Sequence, residues 1–333
     1  MADLNHDAPT MYSSLDWDHY ARWRPPYPQS LKDLIYGYRS EHSGAGWKRI
    51  VDVGGGVGIS SAIFASDFGT VHLLDPSPLN HQMARKYLGQ LVEQQSLQTK
   101  LDFTQATAEE GHKFVKDADM LICAETAHFI DPEELVKSAA AILRPAGTLA
   151  IYSYWGPIFP DQSRELSDAF CKVITRALGC CLKPGDEEAR SRLGSAAARV
   201  SAGKSVLDSI PVPEEYFEDI RRVRINPDAE RAIEVFRKSF PVDHEPAPSR
   251  IGNNDKHFIY QSGCDPEAEG WSFLVDNRWL HNFIATMRPT DVELSDEEQK
   301  VIFGEWDMLF ANECPSGSTR ALWAVNVILA TRR

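Results

Sequence analysis

Val51-Asp52-Val53-Gly54-Gly55-Gly56-Val57-Gly58 is the stretch on which the reading of this chain turns. Arg49 to Val53 is a short β-branched strand, and four of the next five residues are glycine. Glycine reaches positive φ and lets a ligand approach the backbone. The helix that follows, Ile59 to Phe68, offers unpaired N–H groups to that turn. Thr70 to Leu74 reads as a second strand ending at Asp75-Pro76. A carboxylate at that strand end can accept two ribose hydroxyls, as in nucleotide-binding doubly wound folds.

The spacing narrows the nucleotide. A dinucleotide fingerprint, G-x-G-x-x-G, fails at Ile59 when counted from Gly54 and at Ser61 when counted from Gly56. No G-x-x-x-x-G-K-[ST] occurs, which excludes a P-loop. Asp52, two places before the first glycine, opposes a pyrophosphate and suits a ligand with a cationic amino-acid end.

Outward from the turn, strands and helices alternate. Residues 79–95 read as helix, Leu101 to Thr104 as a third strand and Ala118 to Ala124 as a fourth. Pro132 to Leu143 is helical, Arg144-Pro145-Ala146-Gly147 a turn, and Thr148 to Tyr154 a fifth strand. This alternation predicts a doubly wound, mostly parallel sheet covered on both faces. Upstream, Arg24-Pro25-Pro26-Tyr27-Pro28 is stiff and extended, and Ser30 is placed to cap a helix over Leu31 to Tyr38. After Trp155 the alternation stops. Residues 160–205 look helical, Phe217 to Ile225 fits a strand or an amphipathic helix, and Ala321 to Ala330 suits a buried closing strand.

Composition bounds the rest. The chain has 333 residues, 43% hydrophobic and 25% charged, with a formal net charge of −13. Its length suggests about two domains at roughly 150 residues each. The acidic balance argues against a nucleic-acid groove or an anionic membrane surface. No apolar run reaches the ~18 residues of a membrane-spanning helix, and the polar stretch Met1 to Ser14 does not read as a signal peptide. Cys123, Cys171, Cys180, Cys181, Cys264 and Cys314 form no C-x-x-C pair. That argues against a zinc ribbon and fits free thiols in a reducing cytoplasmic setting; no metal is expected. Vicinal Cys180 and Cys181 read as small helix residues rather than a reactive pair.

The run VDVGGGVG (51–58) resembles motif I of class I S-adenosylmethionine-dependent methyltransferases. LLDPSP (73–78) resembles the segment that carries the ribose-binding acid, and ATAEEG (106–111) the one that borders the adenine. ADMLICAETAHFID (118–131) resembles the fourth-strand motif beside the methyl-transfer site, and ILRPAGTLAIYSYW (142–155) the turn and fifth strand after it. Two departures stand out: Thr107 occupies a position where that family often has Asp, and Ala146 replaces a glycine. WDHYARWRPPYP (17–28), HFID (128–131) and the closing VILATR (327–332) resemble the trans-aconitate methyltransferase-like, or type 11, group.

The resemblance implies a seven-stranded Rossmann-like sheet and S-adenosylmethionine as cofactor. It implies a cofactor site built from Tyr20, Arg24, Asp52, Gly54, Gly55, Gly56, Gly58, Asp75, Pro76, Thr107, Ala108, Glu109, Glu125 and Thr126. Asp52 has two readings, as a partner for the ligand's amino group or as a brace for the turn. His128, just past the fourth strand, is the candidate general base, with packing beside Phe129 as its plainer role. Tyr154, Trp155 and Trp279 are candidates for the acceptor pocket, and His281 is a neighbour of the last. Arg221, Arg222 and Arg224 read as a solvated basic face more readily than as a lure for an acidic substrate.

The expected layout is a helical lead or lid over residues 1–48 and a cofactor-binding core over 49–156. A helical substrate cap over 157–315, with a possible sheet strand near 217–225, and a closing strand over 316–333 complete it. The expected reaction is methyl transfer to a small molecule, by O-methylation of a carboxylate or hydroxyl, in secondary metabolism. A fold that keeps the cofactor for a non-methylating reaction such as a cyclisation, and a non-catalytic binding module, are the alternatives.

Overall fold

The computed structural model describes residues 16–42, 44–180, 182, 185–288 and 294–333. Met1 to Ser14 and Cys181 lie outside the described residues. Two helices lead, α1 (Trp17–Trp23) and α2 (Gln29–Ser40). Asp16 caps α1 by accepting from the His19 N–H, and no α1 residue is buried. Helix α2 buries Leu31, Ile35 and Tyr38 on one face. Its N-cap is Pro28, not Ser30. Ser30 lies within the first turn of α2, where its hydroxyl donates 2.6 Å to the Glu269 carbonyl and ties the helix to a distant loop.

The alternating core follows: β1 (Arg49–Val53), α3 (Ile59–Phe64), β2 (Thr70–Asp75), α4 (Pro78–Gln94), β3 (Lys100–Gln105), β4 (Ala118–Ala124), α5 (Pro132–Ile142) and β5 (Leu143–Tyr154). The expected turn at 144–147 is a bulge within β5. Leu143 pairs with Ala118 and Thr148 with Met120, so the register jumps across it. Next come α6 (Arg164–Cys180), α7 (Glu187–Val200), β6 (Phe217–Ile225), α8 (Arg231–Ser239) and β7 (Lys256–Tyr260). The chain ends with β8 (Ser272–Asp276), α9 (Asn277–Ala285), α10 (Asp296–Glu313), β9 (Ser318–Leu322) and β10 (Val325–Arg332).

The α/β class is as expected, but among the described residues the main sheet has eight strands rather than seven, in the order β3-β2-β1-β4-β5-β10-β6-β7. The added strand is β7, parallel to β6. Only β10 runs against the rest, antiparallel to both β5 and β6. The carboxyl ends of β1 to β7 therefore share one edge, where open α/β sheets bind ligands.

The 157–315 segment is thus not a purely helical cap. It returns to the sheet twice, at β6 and β7. The spacing of Ile220, Val223 and Ile225 fits both helix and strand, and pairing with β10 resolves it as strand. The closing apolar run also divides. Ser318–Leu322 pairs with β8 in a separate two-stranded sheet, and Val325–Arg332 enters the main one. The break falls at Trp323, whose N–H donates to the Trp271 carbonyl. Its fully buried ring packs among Tyr154, Phe273, Trp279 and Phe283.

The arginines of β6 are ion-paired rather than solvated. Arg221 meets Asp219 and Glu41, and Arg224 meets Glu230. Arg222, 5% exposed, bonds Asp255 at 2.5 Å and the Ile210 carbonyl at 2.8 Å. Removing one partner of such a buried pair leaves the other charge uncompensated. Arg222→Met is expected to lower the unfolding free energy by about 3–5 kcal/mol in urea denaturation; a loss under about 1 kcal/mol would show that the pair contributes little.

Candidate functional site

A cavity of about 830 Å³ opens at the carboxyl ends of β1, β2, β4 and β5, within the usual size of a small-molecule site. Its floor is the glycine turn. Gly54 has φ +65, and a Cβ there would run into the Thr126 side chain. The Thr126 hydroxyl sits within hydrogen-bond distance of the Gly54 carbonyl, 3.0 Å, and the Ala124 carbonyl, 2.9 Å. Gly54, Gly55 and Gly56 line the cavity, as expected.

Gly58 does not line it. It has φ +87, and a Cβ would lie 2.7 Å from Leu88 Cδ1. Its work is to start α3 close against α4. Asp52 also lies outside the lining. It is 1% exposed, and its Oδ2 accepts from the hydroxyls of Ser60 at 2.5 Å and Ser61 at 2.7 Å. Burial raises its pKa to about 6, against the two serine bonds. It braces the start of α3 from beneath, through hydroxyls rather than the turn's N–H groups, and is too deep to touch a ligand in the cavity.

Asp75 and Pro76 face the cavity. Asp75 Oδ2 accepts from the Gly56 N–H at 3.0 Å, and Oδ1 accepts from the Ser77 N–H and the Asn80 amide. Burial raises its pKa, while those donors and His81 pull the other way. Thr107, Ala108 and Glu109 form the adjoining wall. The Asn80 Oδ1, Trp17 Nε1 and Trp155 Nε1 atoms are buried at this cavity without a hydrogen-bond partner among the described residues. Such atoms are costly unless a ligand or water meets them. A polar ligand carrying both donors and acceptors fits the cavity.

The opposite wall comes from the lead segment. Trp17, Tyr20 and Arg24 line the cavity, and the Arg24 guanidinium lies 4.6 Å from the Tyr20 ring centre and 5.3 Å from that of Phe283. Glu125 ends β4 with φ +57, and its Oε1 accepts from the Tyr154 N–H at 2.5 Å. Burial raises its pKa to about 7, partly offset by that N–H, by Arg24 and by Ser153. His128 sits in the short helical turn after β4, its ring 4.1 Å from that of Phe129. Burial, then Arg199, then Arg24 push its pKa down to about 4. The imidazole is therefore neutral at pH 7, and a weak base.

Tyr154 and Trp155 face the cavity. Trp279 does not. It stacks on Phe283, with centroids 5.7 Å apart and planes within 8°, one layer behind the wall. Phe283 takes the lining place instead. His281 points away, to Asp307 at 2.7 Å. Unforeseen lining residues include Ile174 and Leu178 of α6, Arg199 of α7 and Phe236 of α8. Their apolar helical spacing is that of any core face, so no local signal separates pocket from core. Arg199 Nη1 donates to the His128 carbonyl at 3.2 Å, which ties α7 to the end of β4.

Among the described residues, no group of three or more His, Cys, Asp or Glu is placed to hold a metal ion, and no helix is long and apolar enough to cross a membrane.

Glu125 makes stability depend on pH. Its folded pKa lies above the unfolded 4.5, so its contribution is full below about pH 4.5 and is lost as pH rises through about 7. Glu125→Gln should flatten the stability–pH curve of the ligand-free protein between pH 4.5 and 7, by up to about 1.4 kcal/mol per pH unit. Asp52 keeps a slope below about pH 6 in both proteins. Identical curves would show that Glu125 ionises in the fold as it does in the unfolded chain.

Residues 51–151 match the family model described as a methyltransferase domain. The chain is 23% identical over 324 residues to "Methyltransferase AacuQ" of Aspergillus aculeatus, covering 95% of this chain and 93% of that protein. It is 24% identical over 345 residues to "Methyltransferase pgmE" of Aspergillus terreus, covering 97% and 95%. A shorter match, 33% over 150 residues, covers 45% of this chain and 49% of "Probable S-adenosylmethionine-dependent methyltransferase CRG1" of Saccharomyces cerevisiae. Among solved structures, the Bacillus YcgJ protein aligns over 92% of this chain and 99% of its own, with 13% identity and a TM-score of 0.43. With a methyltransferase domain over residues 51–151 seated on this sheet and its glycine turn, the chain resembles the class I S-adenosylmethionine-dependent methyltransferases, whose cofactor the turn implies.

Proposed function

We propose that the protein methylates an anionic oxygen, a carboxylate or an ionised hydroxyl, on a small molecule of secondary metabolism. One observation carries this reading: two guanidinium groups, Arg24 and Arg199, line the cavity with His128, and Arg199 donates to the His128 carbonyl at 3.2 Å. Their positive field favours an oxygen anion in the same enclosed space. The remaining walls, Trp155, Phe236, Phe240 and Phe283, are aromatic and suit a compact organic scaffold.

S-adenosylmethionine supplies, when bound, a methyl carbon activated by its own sulfonium. The glycine turn, Asp75 and Asn80 are the residues to hold the nucleoside side, and Thr107 to Glu109 the base. Arg24 and Glu125 carry charges of opposite sign, suited to the carboxylate and ammonium of the amino-acid end. Helices α6, α7 and α8 roof the acceptor space and exclude water. Alignment of acceptor oxygen and methyl carbon is the main contribution of such a site. A carboxylate arrives ionised and needs no base. A hydroxyl loses its proton, and neutral His128 Nδ1 or Nε2 is the group to receive it.

Labelled S-adenosylmethionine, incubated with aromatic carboxylic acids and phenols, tests the reading. Transfer to oxygen is expected, with hydroxide-labile label marking esters and stable label marking ethers. Label on nitrogen or carbon would overturn O-methylation. Cofactor binding with turnover of no acceptor would favour the non-methylating reading. Asp75→Ala should weaken cofactor binding by about 1.5–3 kcal/mol in calorimetry, the increment of a charged hydrogen bond; unchanged affinity removes Asp75 from the site. His128→Ala should lower turnover of a phenol while cofactor affinity holds, and should spare a carboxylic acid. An equal loss on both substrates would assign His128 to packing.

A further inference from the structure

A second cavity, of about 480 Å³, lies away from the first, beyond the carboxyl ends of β5, β6 and β7. Here the antiparallel strand β10 separates β5 from β6. The lining is polar: Arg164, Arg231 and Arg320, with Asp228, Gln162 and Ser262. Three guanidinium groups around one cavity are unexpected in a chain of net charge −13.

Their neutralisation is uneven. Arg320 is held by Asp161 in a two-bond fork, at 2.6 and 2.9 Å. Arg164 has its acid, Asp168, only at 3.7 Å. For Arg231 no carboxylate stands within 4.0 Å among the described residues. Its Nη2 donates to the Ser167 hydroxyl at 3.2 Å, and its buried Nε has no partner among the described residues. Arg231 lines the cavity and is the one of the three arginines with no acid of its own among the described residues, and Arg forks match carboxylate and phosphate oxygens. Asp228 faces the same cavity and can only accept while ionised. A ligand that satisfies both must bring oxygen acceptors and a donor.

We propose that this cavity binds a small oxyanion that also carries a hydroxyl, such as a hydroxycarboxylate or hydrogen phosphate, with Arg231 and Arg164 on its oxygens and Asp228 on its hydroxyl. The site is separate from the methyl-transfer cavity but shares its scaffolding. Helix α6 runs from Arg164 here to Ile174 and Leu178 there, and α8 from Arg231 here to Phe236 there. The Arg231–Ser167 bond joins the two helices at this end.

Calorimetry on the full chain saturated with S-adenosylhomocysteine tests the site, with L-malate and inorganic phosphate as separate probes. Binding of at least one probe is expected, and whichever binds identifies the oxyanion. Arg231→Gln should weaken it at least tenfold while S-adenosylhomocysteine affinity is unchanged. If that variant fails to fold, Arg164→Gln, at a position 67% exposed, should weaken the same probe several-fold. Failure of both probes to bind, equal binding by the variant, or competition with S-adenosylhomocysteine would each overturn the proposal. None of these outcomes depends on methyl transfer, so they stand apart from the test of the acceptor.

Discussion

Where β1 ends there is no room for a side chain. A Cβ at Gly54 collides with Thr126 beyond β4, one at Gly55 with Leu73 of β2, and one at Gly58 with Leu88 of α4. Three elements close on one turn from three sides, and that convergence positions everything above it. Thr126 and Asp75 hold the turn from the ends of β4 and β2 through its carbonyl and its N–H. Asp52 holds the helix that follows through two serines. A larger residue would push the strand ends apart and take the cavity floor with them.

The cavity above the turn has its own electrostatics, distinct from those of the surface. A net charge of −13 describes the exterior, where salt screens each charge over about 8–10 Å. Inside, Arg24 and Arg199 face a neutral His128, and Glu125 is held part-way to neutrality. Glu125 also carries a positive φ, a conformation that costs a non-glycine residue of order 1–3 kcal/mol. The strain places its carboxylate on the Tyr154 N–H, at the junction of β4 and β5.

Much of the cofactor side was legible because its residues are contiguous with strand ends. Gly54 to Gly56, Asp75 with Pro76, Thr107 to Glu109, Glu125 with Thr126, and His128 each lie within a few residues of a strand's carboxyl end. In a parallel sheet those ends lie together. Gly58 lies off the cavity because the turn has two faces, and a linear motif does not say which residue looks up and which looks down; the same ambiguity left Asp52 with two readings, of which its serine bonds fit the brace. Trp279 was misjudged for the same reason on a helix. Phe283, one turn further on, faces the cavity, and both are equally apolar. The acceptor walls were illegible because α6, α7 and α8 meet only through long-range packing.

The sequence by itself determined the α/β class, the five alternating strands, the glycine turn and its acidic neighbour, and with them the class of cofactor. These follow from local periodicity and from residue types that few other backbones accept. Tertiary structure alone decided the rest. It made Phe217–Ile225 a strand by pairing it with Val325–Arg332, added Lys256–Tyr260 at the edge, and broke the closing run at the buried Trp323. It turned a run of arginines into ion pairs on one strand and, among the described residues, left Arg231 without a carboxylate at another cavity. The physical reason is common to all of these. A residue's periodicity sets which side it buries, but its partner comes from elsewhere in the chain, and only the packed fold brings the two together.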